Sequence, residues 1–171
     1  MIPSRKEISC HEAAILIDEK LPGGIFLSTA AEGFASNTMT IGWGGLIRFF
    51  NLPVFLVPVR KTRHSHTLLE KSNVFSVSIP LHDMKAELAF AGTKSGRDML
   101  KFEGHGLTAA PGEKVSAPIV AECEIHLECR VIATPDFPEA ALDKSLLAKW
   151  YADRDMHTLF FGEVISCYTT R

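Results

Sequence analysis

Residues 54–69, Val54-Phe55-Leu56-Val57-Pro58-Val59-Arg60-Lys61-Thr62-Arg63-His64-Ser65-His66-Thr67-Leu68-Leu69, read as a buried strand that empties into a cationic turn and then a helix. Val54, Phe55, Leu56, Val57 and Val59 form the apolar, β-favouring run. Arg60, Lys61, Arg63, His64 and His66 crowd the positions that follow. Thr62 is the expected N-cap, and the amides after it would present unpaired N–H groups. A phosphate held there gains from those donors, from the helix macrodipole and from guanidinium groups that bind bidentately. A solvated basic turn is the alternative. The interleaving of Thr62, Ser65 and Thr67 with the cations favours the anion site.

Working outward, residues 91–102 place Gly92 and Gly96 around Thr93, Lys94, Ser95 and Arg97. Glycines let the backbone fold closely around a ligand and form an anion-binding nest. The spacing is not that of a Walker loop, and no apolar strand precedes it. A helix C-cap at Gly92 followed by an N-cap at Ser95 would explain the segment alone. Beside the first cluster, the pair suggests one phosphate gripped from two loops.

The chain has 171 residues, 46% hydrophobic and 22% charged, which suits one ordinary globular domain over residues 1–171 and excludes a disordered chain. Its formal net charge of −2 makes the cationic turn local, which argues against a nucleic-acid binder with a broad positive face. Glu7, His11, Glu12, Asp18 and Glu19 interrupt every candidate signal sequence, and no run approaches the roughly 20 apolar residues that span a bilayer. Cys10, Cys123, Cys129 and Cys167 form no Cys-x-x-Cys pair, so reduced thiols in a cytoplasmic protein are expected. Cys123 and Cys129 would share one face of a strand.

Strands are expected at 25–31, 35–43, 54–59, 74–79, 121–133 and 158–168. Phe75, Val77 and Ile79 alternate with Ser76 and Ser78, the pattern of a strand with one wet face. Helices are expected at 9–20, 63–71, 84–91 behind an Asp83 cap, 97–102 and 139–151, and 104–118 reads as a long loop. Many strands with helices inserted irregularly fit a closed antiparallel barrel better than a doubly wound parallel sheet. No Gly-x-Gly-x-x-Gly opens a helix, which disfavours a Rossmann site.

Five pieces then follow one another in a telling order: Asn37-Thr38-Met39-Thr40-Ile41-Gly42-Trp43; Pro53 with the strand leading into residues 59–67; residues 92–98 with Lys101-Phe102; Ala117-Pro118 with Glu128-Cys129; and residues 157–164. Together they resemble the flavin reductase-like proteins that include flavoredoxin, over most of the chain from about residue 23. The resemblance implies a mainly β fold, an FMN-binding split β-barrel that is antiparallel and of Greek-key type with a few short helices. It also implies a homodimer with the flavin near the subunit boundary. Carried over residue by residue, it has Asn37, Thr38, Met39 and Thr40 line the isoalloxazine ring. Arg60, Thr62, Arg63, Ser65 and Thr67 match the phosphate and ribityl side, with Lys94, Ser95 and Arg97 as a second wall.

His64 and His66 have no companion carboxylate or cysteine at ligand spacing, so phosphate contact or exposure is expected in place of a metal. Trp43 could stack on a flavin or nicotinamide, although a tryptophan at a strand end also serves as core or dimer contact. His157 falls near a Gly-Asp-His signature of two-component flavin reductases, but the local run is Asp155-Met156-His157. Glu128 and Glu163 would serve structure as readily as function. Hydride transfer at a flavin needs position and electrostatics from the protein, so no acid–base catalyst is assigned. The resulting expectation is an oxidoreductase moving electrons from NADH or NADPH through FMN to a small-molecule or protein acceptor. A flavoredoxin-type carrier with tightly held FMN, or a non-catalytic FMN-binding module, is the alternative.

Overall fold

The computed structural model describes residues 4–170. In chain order it has strand β1 (Lys6–Glu7), helix α1 (Cys10–Lys20), strands β2 (Ile25–Thr29), β3 (Asn37–Ile41), β4 (Gly45–Phe49) and β5 (Leu52–Arg60), and helix α2 (His64–Ser72). Strand β6 (Val74–Ile79), helix α3 (Lys85–Thr93), strands β7 (Ala109–Ala110), β8 (Ile119–Val120) and β9 (Ile125–Ala133), helix α4 (Lys144–Trp150) and strand β10 (His157–Thr169) follow.

The main sheet is antiparallel in the order β3-β2-β6-β9-β10-β5-β4, with β1 added to β10. β3 and β4 are neighbours in sequence yet stand at opposite ends of that order, joined only by Gly42, Trp43 and Gly44. So short a link spans at most about 3.6 Å per residue. The two sheet ends must therefore return to each other, and the sheet curls into the split β-barrel expected from the sequence. Gly44 makes the seam possible: its φ is +131°, and a Cβ there would collide with the Leu56 carbonyl oxygen.

The barrel interior is filled from several strands, by Ile25, Leu27, Val57, Phe75, Leu127 and Phe160 among others, and Ala13 and Ile17 of α1 pack into it. Helix α1 starts where Ser9 accepts the Glu12 amide and the Glu12 carboxylate returns to the Ser9 N–H, a capping box. β2 is buried on both faces: Phe26 points outward into a second cluster with Met84, Leu88, Ala91 and Val120. α3 is thereby fixed against the outside of β2 and β3.

Several expectations need correction. β4 was not anticipated, because its hairpin turns at Phe50-Asn51, both at positive φ (52° and 59°), without the glycine that usually marks such a turn. The Ser76 and Ser78 face of β6 is dry, not wet: the Ser76 hydroxyl donates to the Pro118 carbonyl, and the Val120 amide donates to the Ser78 hydroxyl. The expected strand at 121–133 begins only at Ile125, after a turn in which the Cys123 amide meets the Val120 carbonyl. Cys123 and Cys129 consequently lie in different apolar clusters and share no strand face. Residues 97–102 form turns in place of the expected helix. The 139–151 helix is divided into a 3-10 turn at Glu139–Ala141 and α4, which Asp143 caps. No helix among the described residues is long and apolar enough to cross a membrane.

Candidate functional site

β5 delivers its chain into α2 as the sequence suggests, but the N-cap is Arg63. Thr62 turns its hydroxyl away to donate to Asp155 at 2.6 Å. No side chain caps α2; of its first amides, that of His66 turns back to the Arg63 carbonyl at 3.0 Å, which leaves those of His64 and Ser65 as the donors of the helix start. Two side chains lock this turn to the glycine-rich loop: Arg97 donates to the Thr62 carbonyl at 2.7 Å, and Arg63 to the Gly92 carbonyl at 3.1 Å. The two sequence-distant clusters thus face each other across a compartment of about 170 Å³.

That compartment is lined by Arg63, His64, Lys94, Arg97 and Lys101 and, among the described residues, by no carboxylate. Lys101 is buried, donates one N–H to the Ala91 carbonyl at 2.7 Å, and has its ammonium pulled down to about 8 by burial and then by Arg63. Burial, then Arg97 and Lys101, lower the His64 imidazole as well. Asn37 reaches in from β3. Its Nδ2 donates to Ser65 Oγ at 2.8 Å, while its Oδ1 is buried without a partner. Gly96 passes so close to Asn37 and His64 that a Cβ would strike both.

A second cleft of about 240 Å³ adjoins the first, sharing Met39 and Arg63 with it. The barrel seam builds one side through Thr40, Ile41, Gly42 and Trp43, and Pro58, Trp150 and His157 build the other. Trp43 meets Trp150 edge-on with centroids 5.1 Å apart and lies 5.2 Å from the His157 ring. The Thr40 hydroxyl donates to the Leu88 carbonyl at 2.6 Å, which holds the β3 end against α3. His157 Nδ1 lies 2.7 Å from the Tyr151 hydroxyl. Burial, then the Arg60 charge, lower its imidazole to about 4, so the ring is neutral near pH 7. Each cleft alone is smaller than the ~300–1,000 Å³ of ordinary small-molecule sites, whereas the two joined fall within it.

Of the residues expected to bind, Asn37, Met39, Thr62, Arg63, His64, Ser65, Lys94, Ser95 and Arg97 line the basic compartment, and Met39, Thr40, Arg60 and Arg63 line the cleft. Three expectations change. Thr38 and Thr67 line neither space; the Thr38 hydroxyl is buried beside Ser28 Oγ at 3.1 Å. Arg60 spends its guanidinium on Asp153 and on the Trp150 and Asp155 carbonyls. His66 is neither exposed nor at the anion compartment: it is buried, with Nε2 2.9 Å from the Thr158 hydroxyl. Sequence reading placed Gly96 in the anion-binding nest but did not assign Lys101 or Trp150 to the site. Lys101 lay in an expected helix, and no local pattern ties Trp150 to Trp43.

Residues 19–171 match the family described as flavin reductase like domain, and the chain belongs to that family. An uncharacterized protein of Pyrococcus abyssi is 31% identical over 147 residues, covering 85% of this chain and 73% of that protein. Among solved structures, flavoredoxin of Desulfovibrio vulgaris (Miyazaki F) superposes with a TM-score of 0.67 at 26% identity, over 84% of this chain and 67% of its own. An FMN-binding domain of a flavin reductase-like enzyme from Shewanella baltica shares the fold, with a TM-score of 0.73 at 19% identity over 99% and 79% of the two chains.

Proposed function

We propose that this protein binds FMN, phosphate in the basic compartment and isoalloxazine ring in the aromatic cleft, and is an oxidoreductase that takes hydride from NADH or NADPH and delivers electrons to a small-molecule or protein acceptor. The observation that carries this reading is that the two spaces adjoin, with Met39 and Arg63 lining both. The residues fit the group. The uncapped start of α2 and the cation cluster, with no carboxylate among the described residues lining it, suit one terminal phosphate, and the unpaired Asn37 Oδ1 suits a ligand O–H or N–H donor such as a ribityl hydroxyl. A flavin supplies hydride and single-electron chemistry through its ring. The chain's own residues bind and orient: Arg63, Lys94, Arg97 and Lys101 neutralise the phosphate, Met39 and Thr40 seat the ring, and Trp43 and His157 keep water from it. His157, neutral near pH 7, is a wall of the cleft and holds no proton charge there.

A flavoredoxin-type electron carrier is the second reading, favoured by the likeness to flavoredoxin and by Trp150 lying across the cleft. A homodimer belongs to both readings. It is supported by the exposed Ile47, Phe49 and Phe50 on and beside β4, the end strand of the sheet order. A cytoplasmic location accords with the free cysteines. The decisive test is the visible spectrum of the purified protein, chromatography of the cofactor released by heat, and anaerobic addition of NADH and NADPH. FMN with rapid bleaching by one nicotinamide is expected; FMN that stays oxidised selects the carrier, and recovery of FAD or of no flavin rejects the cofactor assignment.

A further inference from the structure

Arg60 ends β5, yet its guanidinium gathers a segment far away in sequence. It donates to the Trp150 carbonyl at 2.6 Å, to the Asp155 carbonyl at 3.0 Å and to both Asp153 carboxylate oxygens at 3.1 and 3.2 Å. It also lies over the Tyr151 ring, 5.3 Å from its centroid. A planar fork can serve acceptors spread in this way; the single ammonium of a lysine cannot.

The segment needs such a hold. Helix α4 buries none of its residues, so its own packing does not fix it to the barrel. Its C-terminal end carries the attachment, where a guanidinium on a last-turn carbonyl also suits the helix dipole. Thr62 adds a hydrogen bond to Asp155, and the buried Tyr151 adds one to His157. Trp150 stays 43% exposed while its ring closes on Trp43 across the cleft. The ties that open the cleft when broken are thus mostly polar and near the surface, where each is individually weak. Such an opening uncovers Tyr151 but leaves the apolar cluster inside the barrel untouched, which makes it a local event.

We propose that residues 150–155 form a movable cover of the aromatic cleft, that Trp150 is the wall deciding which flat ring enters beside Trp43, and that Arg60 is the residue positioning that wall. The identity of the ring rests on the FMN reading above; the cover does not.

Trp43 and Trp150 are the only tryptophans in the chain and touch each other, so the intrinsic emission of flavin-free protein reports the cover directly. Arg60→Ala should shift that emission to the red and raise its acrylamide quenching constant about twofold or more, because both rings gain water. Asp153→Asn, at an exposed site, should do the same to a smaller extent. In protein saturated with FMN, Arg60→Ala should make flavin fluorescence about twofold more quenchable than in the wild type. An arginine with only a structural role would lower Tm and leave all quenching constants at wild type. That result in both variants overturns the proposal. If Arg60→Ala does not fold, Asp153→Asn alone decides, and wild-type quenching in it counts against the cover. A wild type without flavin affinity rejects the FMN reading, while the tryptophan measurement still judges the cover.

Discussion

Asn37 Nδ2 holds Ser65 Oγ at 2.8 Å, tying β3 to the first turn of α2, and the same amide leaves Oδ1 buried with no partner among the described residues. A buried unpaired oxygen costs about 1–3 kcal/mol. Such a cost is understandable where a ligand donor completes the bond. Asn37→Ala should therefore weaken FMN about tenfold and leave Tm nearly unchanged or slightly higher, because the unpaired oxygen goes too. Fluorescence titration with a parallel thermal melt measures both. Unchanged affinity would show that Oδ1 serves no ligand.

Arg63 should separate binding of the phosphate from binding of the ring. Arg63 belongs to both spaces, so Arg63→Ala should lower FMN affinity by roughly one to two orders of magnitude, from about 1.5–3 kcal/mol for hydrogen bonds to charged groups. Riboflavin, which lacks the phosphate, should bind the variant about as well as it binds the wild type. Equal weakening of both ligands would point to general damage at the seam.

The basic compartment was legible in the sequence because its signal is local: Arg63, His64 and Ser65 sit in one run, and Lys94, Ser95 and Arg97 in another. The aromatic side was not, since Trp43, Trp150 and His157 come from three distant segments that only the strand order brings together. Arg60 misled for the same reason. Its partners lie more than ninety residues on, at Asp153 and Asp155, and a cation beside other cations says nothing of them. Thr38 failed on side-chain direction: it lies between Asn37 and Met39, which line the basic compartment, and its hydroxyl reaches Ser28 and the Leu27 carbonyl. The dry serine face of β6 depended on Pro118 and Val120 folding back, which alternation alone cannot report.

Glu128 should be a stability residue with an acid signature. Its buried carboxylate accepts the Tyr168 hydroxyl and the Glu113, Lys114 and Val115 amides, all within 2.9 Å. Burial pushes its carboxyl up, but the Tyr168 hydroxyl and those amides together hold it below the ordinary glutamate value. A depressed carboxylate contributes stability above its unfolded pKa of about 4.3 and loses it as pH falls through the folded value. Glu128→Gln should cost about 2–3 kcal/mol at pH 7, seen as a Tm roughly 5–10 °C lower, with the gap to wild type closing below about pH 4. A gap that persists undiminished into acid would assign the loss to packing.

Lys101 should set the alkaline limit of cofactor retention. The buried ammonium sits among Arg63, His64, Lys94 and Arg97, and burial followed by Arg63 brings it down to about 8. Sign and window follow from linkage. In ligand-free protein the unfolded chain, with lysine near 10.4, binds the extra proton between about pH 8 and 10, so stability rises with pH across that window. Ligand affinity runs the other way. A phosphate dianion favours the charged lysine, so FMN must bring a proton with it above about pH 8, and its dissociation constant should climb by up to about tenfold per pH unit from there. The phosphate's own second ionisation, near 6, is complete before this window opens and does not confuse it. Lys101→Met should bind FMN more weakly at pH 7 and show a flat profile from pH 7 to 9.5. Riboflavin binding should be flat in both proteins. A wild-type FMN profile without a slope above pH 8 would mean that Lys101 serves only the Ala91 carbonyl and takes no part in holding the phosphate.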